Sequence, residues 1–306
     1  MLNKEWDKNL ARVALTCVAS EIPSTDMDNW WLLQRRLLQH ATRQQHFILD
    51  GKVDDEGMSW ALHNLGDLYS DQGRLAEAEA MYNRALQGKE EALGPKHTST
   101  LDTVNNLGKL YKNQGRLAEA EAMYNRALQG SEEALGPKHT STLSTVNNLG
   151  LLYADQGKLA EVEAMYIQAL QGYEEALGPK HTSTLSMVNN LGNLYKNQGK
   201  LAEAEAMYIR ALQGSEEALG PKYTLTLATV NNLGNLYKNQ GRLAEAEAMY
   251  NRALQGKEEA LGLERLLLYL LVLITMFSLC DLFLWTGQKD MAKNMYTRAL
   301  SGYRII

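Results

Sequence analysis

Residues 106–111 read Asn-Leu-Gly-Lys-Leu-Tyr. The same string, with its fourth residue free to vary, returns with its glycine at Gly66, Gly150, Gly192 and Gly234, always 42 residues apart. A second string, Ala-Met-Tyr-x-x-Ala-Leu, keeps that step, with tyrosines at Tyr82, Tyr124, Tyr166, Tyr208 and Tyr250. A period of this size belongs to a solenoid or a propeller, and the pattern inside one unit decides between them. In residues 98–139, Thr98-Ser99-Thr100 follows Pro95 and offers hydroxyls for an N-cap. Leu101, Val104, Leu107 and Tyr111 follow at helical spacing, and Asn113-Gln114-Gly115 ends that helix. A second helix opens near Arg116-Leu117, rich in Ala and Glu, with Leu117, Ala120, Tyr124, Ala127 and Leu128 as its apolar stripe. It closes at Leu135-Gly136-Pro137, since proline cannot continue a helix. A propeller blade needs strands, and no stretch alternates with period two for long enough. Gly108 lies inside the first helix, where glycine costs about 0.5–1 kcal/mol against alanine. Close approach of the paired helix, with Ala120 and Ala127 opposite, would justify it, and recent duplication would also explain its recurrence.

Leu107, Gly108, Tyr111, Ala120, Tyr124 and Ala127 resemble the tetratricopeptide signature in type and spacing. The resemblance implies an all-α, right-handed α-solenoid of antiparallel helix pairs. The unit is longer than the family's usual one of about 34 residues. With Asn-Asn-Leu before the turn, Gln-Gly at it and Ala-Leu-Gly-Pro after the second helix, it is similar to the repeat of kinesin light chains. No sustained heptad coiled coil precedes the repeats, which departs from that family. Residues 11–50 instead resemble the helical piece that links nucleotide-binding module and repeats in fungal NLR-like signalling ATPases, although no GxxxxGK[ST] loop is present. The organisation expected is an N-terminal helical segment over 1–57, five repeats over 58–262, and a degenerate sixth repeat or cap over 263–306. In that last part Leu279-Cys280-Asp281-Leu282-Phe283 stands where Leu-Gly-x-Leu-Tyr belongs. The apolar run 266–285 has about the length a membrane span needs. Asp281 within it and the repeat helix that follows favour a capping helix, one greasy enough to self-associate.

In tetratricopeptide arrays the first helix of each unit lines the concave face. At about 100° per residue, Asp102, Asn106, Lys109 and Asn113 share one face, with Asn105 and Lys112 beside them. Much of what varies between the units falls there, while Asn64, Asn106, Asn148, Asn190 and Asn232 stay constant. A carboxamide both donates and accepts, so a row of them can clamp an extended peptide backbone. The kinesin light chain resemblance implies the same use for an asparagine just before that leucine. The flanking candidates are Lys109, Lys112, Asn113, Asn193, Lys196, Asn197, Asn235 and Lys238, and the lysines suit a partner with acidic residues. The alternative is that the asparagines only bridge neighbouring units.

The remaining chemistry is sparse. His97, His139 and His181 recur singly after proline, with no second ligand at i+3 or i+4, and Tyr223 breaks the series, so no metal is expected. The pairs Glu90/Glu91 and Glu132/Glu133 read as solvated helix ends. No HExxH, GxSxG or GxGxxG motif occurs, so neither catalysis nor a cofactor is expected. The net charge of −5 argues against phosphate-driven nucleic-acid binding. Cys17 and Cys280 make no CxxC pair, and the first residues have acidic groups and no apolar core of a signal peptide, so a cytoplasmic setting is expected. The reading is a non-enzymatic scaffold that holds a peptide or partner protein in its groove. The alternatives are the ligand-sensing fragment of an NLR-like ATPase and a kinesin light chain-like cargo adaptor.

Overall fold

The computed structural model describes residues 8–23, 30–49 and 56–260, together with 275, 276, 278, 279, 282, 283, 286, 288 and 290–295. Twelve helices occur among them. Two come before the repeats, α1 (Lys8–Ser20) and α2 (Trp30–Leu49). The repeats then supply α3 (Ser59–Asp71), α4 (Leu75–Leu93), α5 (Thr98–Asn113), α6 (Leu117–Leu135), α7 (Thr140–Asp155) and α8 (Leu159–Leu177). They end with α9 (Thr182–Asn197), α10 (Leu201–Leu219), α11 (Thr224–Asn239) and α12 (Leu243–Ala260). The chain forms two bodies, residues 1–152 and 153–306.

Within each body the helices pair in sequence, α3 with α4 and α5 with α6 in the first, α9 with α10 and α11 with α12 in the second. The turn that makes each pair is a left-handed glycine. Gly115 sits at φ 77°, and Arg116 N–H donates back to Tyr111 O at 2.8 Å, which satisfies a carbonyl at the end of α5. The helical Gly108 has a different cause from the one the alanines suggested. A Cβ there would come within 2.7 Å of the Tyr124 ring, and Tyr208 and Tyr250 stand likewise over Gly192 and Gly234. The glycine is the socket for the buried tyrosine of its own partner helix.

The capping differs too. Thr98 is already helical; the N-cap is His97, whose Nδ1 accepts the Ser99 N–H at 3.2 Å. His139 and His181 do the same for Ser141 and Ser183. The hydroxyl of Thr100 instead donates to Gly94 O, tying the helix start to the preceding loop. This capping role accounts for the recurring histidines; among the described residues no group of three or more His, Cys, Asp or Glu is placed to hold a metal.

Leu101, Val104, Leu107 and Leu110 are buried with Ala120, Tyr124 and Ala127 in the first body. In the second, Leu233 and Leu236 pack with Ala204 and Tyr208. Beyond α12, the described Met276, Leu279, Leu282, Phe283 and Ala292 form one cluster with Ala246, Tyr250 and Leu254, so part of the degenerate stretch is core. Thr275 and Ser278 are described as well, and Thr275 is buried; the other residues of 266–285 lie outside the described residues, among which no helix is long and apolar enough to cross a membrane.

Polar ladders join consecutive repeats. Arg116, Lys200 and Arg242 reach Glu79, Glu163 and Glu205 of the preceding repeat, each at 2.8 Å. The glutamates read as solvated ends also take part: Glu90 pairs with Arg126, and Glu133 with Lys96. Each such surface pair contributes about 0–1 kcal/mol, so they set register more than stability.

Candidate functional site

The outward columns of the first helices were the predicted site, and the structure gives their amides a definite orientation. In the first body, Asn64 Nδ2 donates to Ala19 O (3.1 Å), Asn106 Nδ2 to Asp67 Oδ1 (3.0 Å) and Asn148 Nδ2 to Asn105 Oδ1 (3.2 Å). In the second, Asn232 Nδ2 donates to Asn189 Oδ1 at 3.1 Å. Each amide nitrogen is therefore held by the element before it. The Oδ1 atoms of these four residues take no protein donor among the described residues, and all four side chains remain half-buried. A carboxylate accepts only, so the Asp67 contact forces Asn106 to present its oxygen. Asn190 is half-buried at the same register.

The flanking candidates divide. Asn113 and Asn197 are exposed at the ends of α5 and α9, and Lys109 is exposed on α5. Asn193 and Asn235 do not face outward freely, because their Oδ1 atoms accept the hydroxyls of Tyr208 (2.7 Å) and Tyr250 (2.8 Å). Lys112, Lys196 and Lys238 are half-buried, and burial pulls the Lys196 ammonium below the usual lysine range.

The first repeat departs from the others and forms a cleft. Where later repeats carry asparagine, lysine or leucine, α3 has His63 and Asp67, and its Asp71 recurs only as Asp155. A cavity of about 360 Å³ opens there, lined by Ile22 and Pro23 after α1, Gln34 of α2, Asn64, Asp67, Ser70 and Asp71 of α3, Tyr82 of α4, and Asn106 and Lys109 of α5. Asp67 Oδ1 accepts from the Tyr82 hydroxyl at 2.6 Å as well as from Asn106, and Asp71 Oδ2 accepts from Gln34 Nε2 at 2.8 Å. Desolvation raises both carboxyls above their ordinary range, against the opposing pull of these hydrogen bonds.

Behind the cleft lies a buried polar chain. Lys89 Nζ donates to Thr103 Oγ1 (2.9 Å) and Ser99 O (3.1 Å), and Thr103 Oγ1 stands 3.0 Å from His63 Nδ1. His63 Nε2 is 3.6 Å from Asp67 Oδ2. Burial, reinforced by Lys89, lowers the His63 imidazole to about 4, so it is neutral at pH 7. Thr103 is fully buried and cannot meet a substrate; this acid–histidine–hydroxyl sequence is structural. Reading the register columns back from residues 105–113 to 63–71 would have found His63, Asp67 and Asp71. The contributions of Gln34, Ile22 and Pro23 had no signal, since they come from outside the repeats.

Comparison with known proteins places this geometry. The family description "Tetratricopeptide repeat" matches residues 57–133, 99–175, 141–196 and 183–259. A nucleotide-binding leucine-rich repeat (NLR)-like protein of Hyaloscypha variabilis is 39% identical over 67 residues, which is 22% of this chain and 6% of that protein. A putative kinesin light chain with nearly identical TPR-like repeats from Podosopora anserina superposes with TM-score 0.58 at 20% identity, covering 68% of this chain and 98% of that one. A Rap protein complexed with competence and sporulation factor superposes with TM-score 0.64 at 11% identity, covering 98% of this chain and 88% of that one. These structures share the fold of paired helices.

Proposed function

The chain belongs to the tetratricopeptide repeat family of protein–protein interaction scaffolds, and we propose that in each body the first-helix face binds an extended polypeptide through its asparagine carbonyls. The observation that carries this is the fixed orientation of Asn64, Asn106, Asn148 and Asn232. Each has its N–H held by a neighbouring element, and each Oδ1 is left to accept a guest's backbone N–H. Preorganisation lowers the entropy that binding must offset. At about 0.5–1.5 kcal/mol for each net hydrogen bond, several in a row give a binding energy that flanking side chains tune. The amides act here as acceptors, a narrower role than the donor-and-acceptor clamp their chemistry allows. Lys112 and Asn113 accompany these amides in the first body, and Asn190, Lys196, Asn197 and Lys238 do so in the second; the lysines suit acidic guest residues.

The test is a peptide selected for binding from a random library, measured against the triple substitution Asn106→Ala, Asn148→Ala and Asn232→Ala. Affinity should fall at least tenfold while the helical circular-dichroism signal stays. Unchanged affinity in a folded variant overturns the reading. The 67-residue match to an NLR-like protein supports a second reading, in which these repeats are the sensor region of a larger signalling ATPase. A nucleotide-binding module encoded in the same transcript would favour it.

A further inference from the structure

The cleft on α3 differs in charge from every later repeat, and the difference is local and complete. At the register of Asp67 the following repeats carry Lys109, Leu151, Asn193 and Asn235; at the register of Asp71 they carry Asn113, Asp155, Asn197 and Asn239. Only the first repeat places two carboxylates one helical turn apart on this face. Both line the same 360 Å³ cavity. Asp67 is held from the side by Tyr82 and Asn106, and Asp71 by Gln34, whose own Oε1 accepts from Gln72 Nε2 at 3.1 Å. Gln34 is 1% exposed, so this support is rigid. The Asp67 side chain is 40% exposed, and Asp71 is exposed. Solvent, and a guest, can therefore reach both.

The charge around the carboxylates is only partly balanced from within: Lys109 and Lys89 act on Asp67, and Lys109 on Asp71, more weakly than burial does. His63 is neutral, and Lys89 spends its ammonium on Thr103 and Ser99 behind the cleft. Lys109 stands on the rim. Among the described residues no lysine or arginine makes an ion pair with Asp67 or Asp71. The lining combines the apolar Ile22 and Pro23 with the Tyr82 hydroxyl around about 360 Å³, a mixture that suits a side chain with an aliphatic stem and a planar or tetrahedral cationic head. Two fixed carboxylates match such a head with charge-assisted hydrogen bonds.

We propose that this cleft receives a lysine or arginine side chain of the bound polypeptide, giving the first repeat a preference opposite to the one the lysines of later repeats suggest. This deepens, and rests on, the reading of the first-helix face as a peptide site. Asp67→Asn preserves the fold, because asparagine at that register already accepts the tyrosine hydroxyl in two later repeats. Asp71→Asn changes an exposed residue.

Saturation-transfer NMR on the full chain tests the cleft directly, with Nα-acetyl-arginine amide, Nα-acetyl-lysine amide and the uncharged Nα-acetyl-citrulline amide as probes. The two cationic probes should receive at least fivefold more saturation than citrulline, and the excess should vanish in the Asp67→Asn/Asp71→Asn variant. Equal transfer to citrulline, or an excess that survives in the variant, overturns the proposal. A random peptide array run on the same two proteins separates it from the groove reading. Peptides that bind with no lysine or arginine enrichment sink the cleft and leave the groove. Absence of any peptide binding, with the arginine signal intact, sinks the groove and leaves the cleft.

Discussion

One junction in each body shows the same packing problem solved with different interiors. In the first, the junction between the first and second repeats contains a buried ammonium, an imidazole and a half-buried carboxylate, joined through Thr103. At the junction between α9 and α11 in the second, a hydroxyl and two carboxamides do that work, Thr229 and Asn232 both donating to Asn189 Oδ1. The apolar frame does not change: Leu107 and Leu233, Tyr124 and Tyr250, Ala127 and Ala253 are buried alike. What differs is one inward register of the second helix and its neighbour on the next first helix. The pairs run Lys89 with Thr103, Ser131 with Thr145, Tyr173 with Met187, Ser215 with Thr229 and, beyond α12, Lys257 with Thr275, all buried, so an ammonium meets a hydroxyl at one junction of each body. Where the first member becomes aromatic, the second loses its hydroxyl. A buried polar group is tolerated only with a partner, so these two positions change together while their surroundings stay fixed.

Forcing the ammonium of the first junction into the one between α8 and α9 is the harshest way to break that comparison. Tyr173→Lys puts an ammonium opposite Met187 and removes a buried ring. We expect a loss of about 2–4 kcal/mol, from a desolvated charge short of partners and from lost packing. Adding Met187→Thr supplies the hydroxyl that Lys89 enjoys and should recover at least about 1 kcal/mol of it. Urea denaturation of the single and double variants measures both. Strictly additive effects would mean that the two registers are independent.

A gentler change makes the first body resemble the second. His63 occupies the register of Asn105 and Asn189. Its imidazole falls from the ordinary 6.5 to about 4 in the folded chain, because burial and then Lys89 oppose its charge. The unfolded chain therefore binds the proton first. The stability this neutral histidine contributes is present above pH 6.5 and drains away as pH falls from there toward 4, by up to about 3 kcal/mol. Asp67 and Asp71 act with the opposite sign. Their raised values make the folded state take up protons first, so they add stability as pH drops through the carboxylate range. His63→Asn removes the first effect and leaves the second. Hydrogen exchange in α3 should slow at pH 5 relative to the parent and change little at pH 7. An equal change at both pH values would show that the imidazole's protonation is not what matters.

These contrasts also mark how far the sequence could be read. The helix pairs, the turn glycines and the buried tyrosines were legible because a 42-residue period repeats them, so that one pattern is shown five times. The asparagine column was legible for the same reason; the direction of its amides was not. Orientation depends on what stands in the preceding repeat, such as Asp67 for Asn106 and Asn105 for Asn148. Gly108 was read correctly as a close approach and wrongly as one to alanines, because the spacing of small residues is easier to see than the lean of the Tyr124 ring. The cap was expected from the hydroxyls of Thr98-Ser99-Thr100 by propensity. The chain enters the helix one residue earlier, at His97 with an extended backbone, and an imidazole nitrogen there reaches the amide a threonine hydroxyl would have taken. The α3 cleft escaped because three of its lining residues, Ile22, Pro23 and Gln34, come from outside the repeats.

The smallest effect concerns the one cap of this kind that the second body lacks. Tyr223 has the same extended backbone as His181, φ −69° and ψ 145° against −68° and 146°, yet its side chain caps nothing and is 46% exposed. Tyr223→His sacrifices little burial and places Nδ1 where His181 Nδ1 accepts from the amide two residues on. The gain should be about 0.5–1 kcal/mol, the scale of an N-cap, seen as slower exchange of the Leu225 amide and a later unfolding of α11. The reverse change, His181→Tyr, should cost α9 about as much. Because a doubly protonated imidazole has no lone pair to offer, the benefit of Tyr223→His must disappear once the new ring is charged. A gain that persisted in acid would assign it to packing of the smaller ring and not to the hydrogen bond.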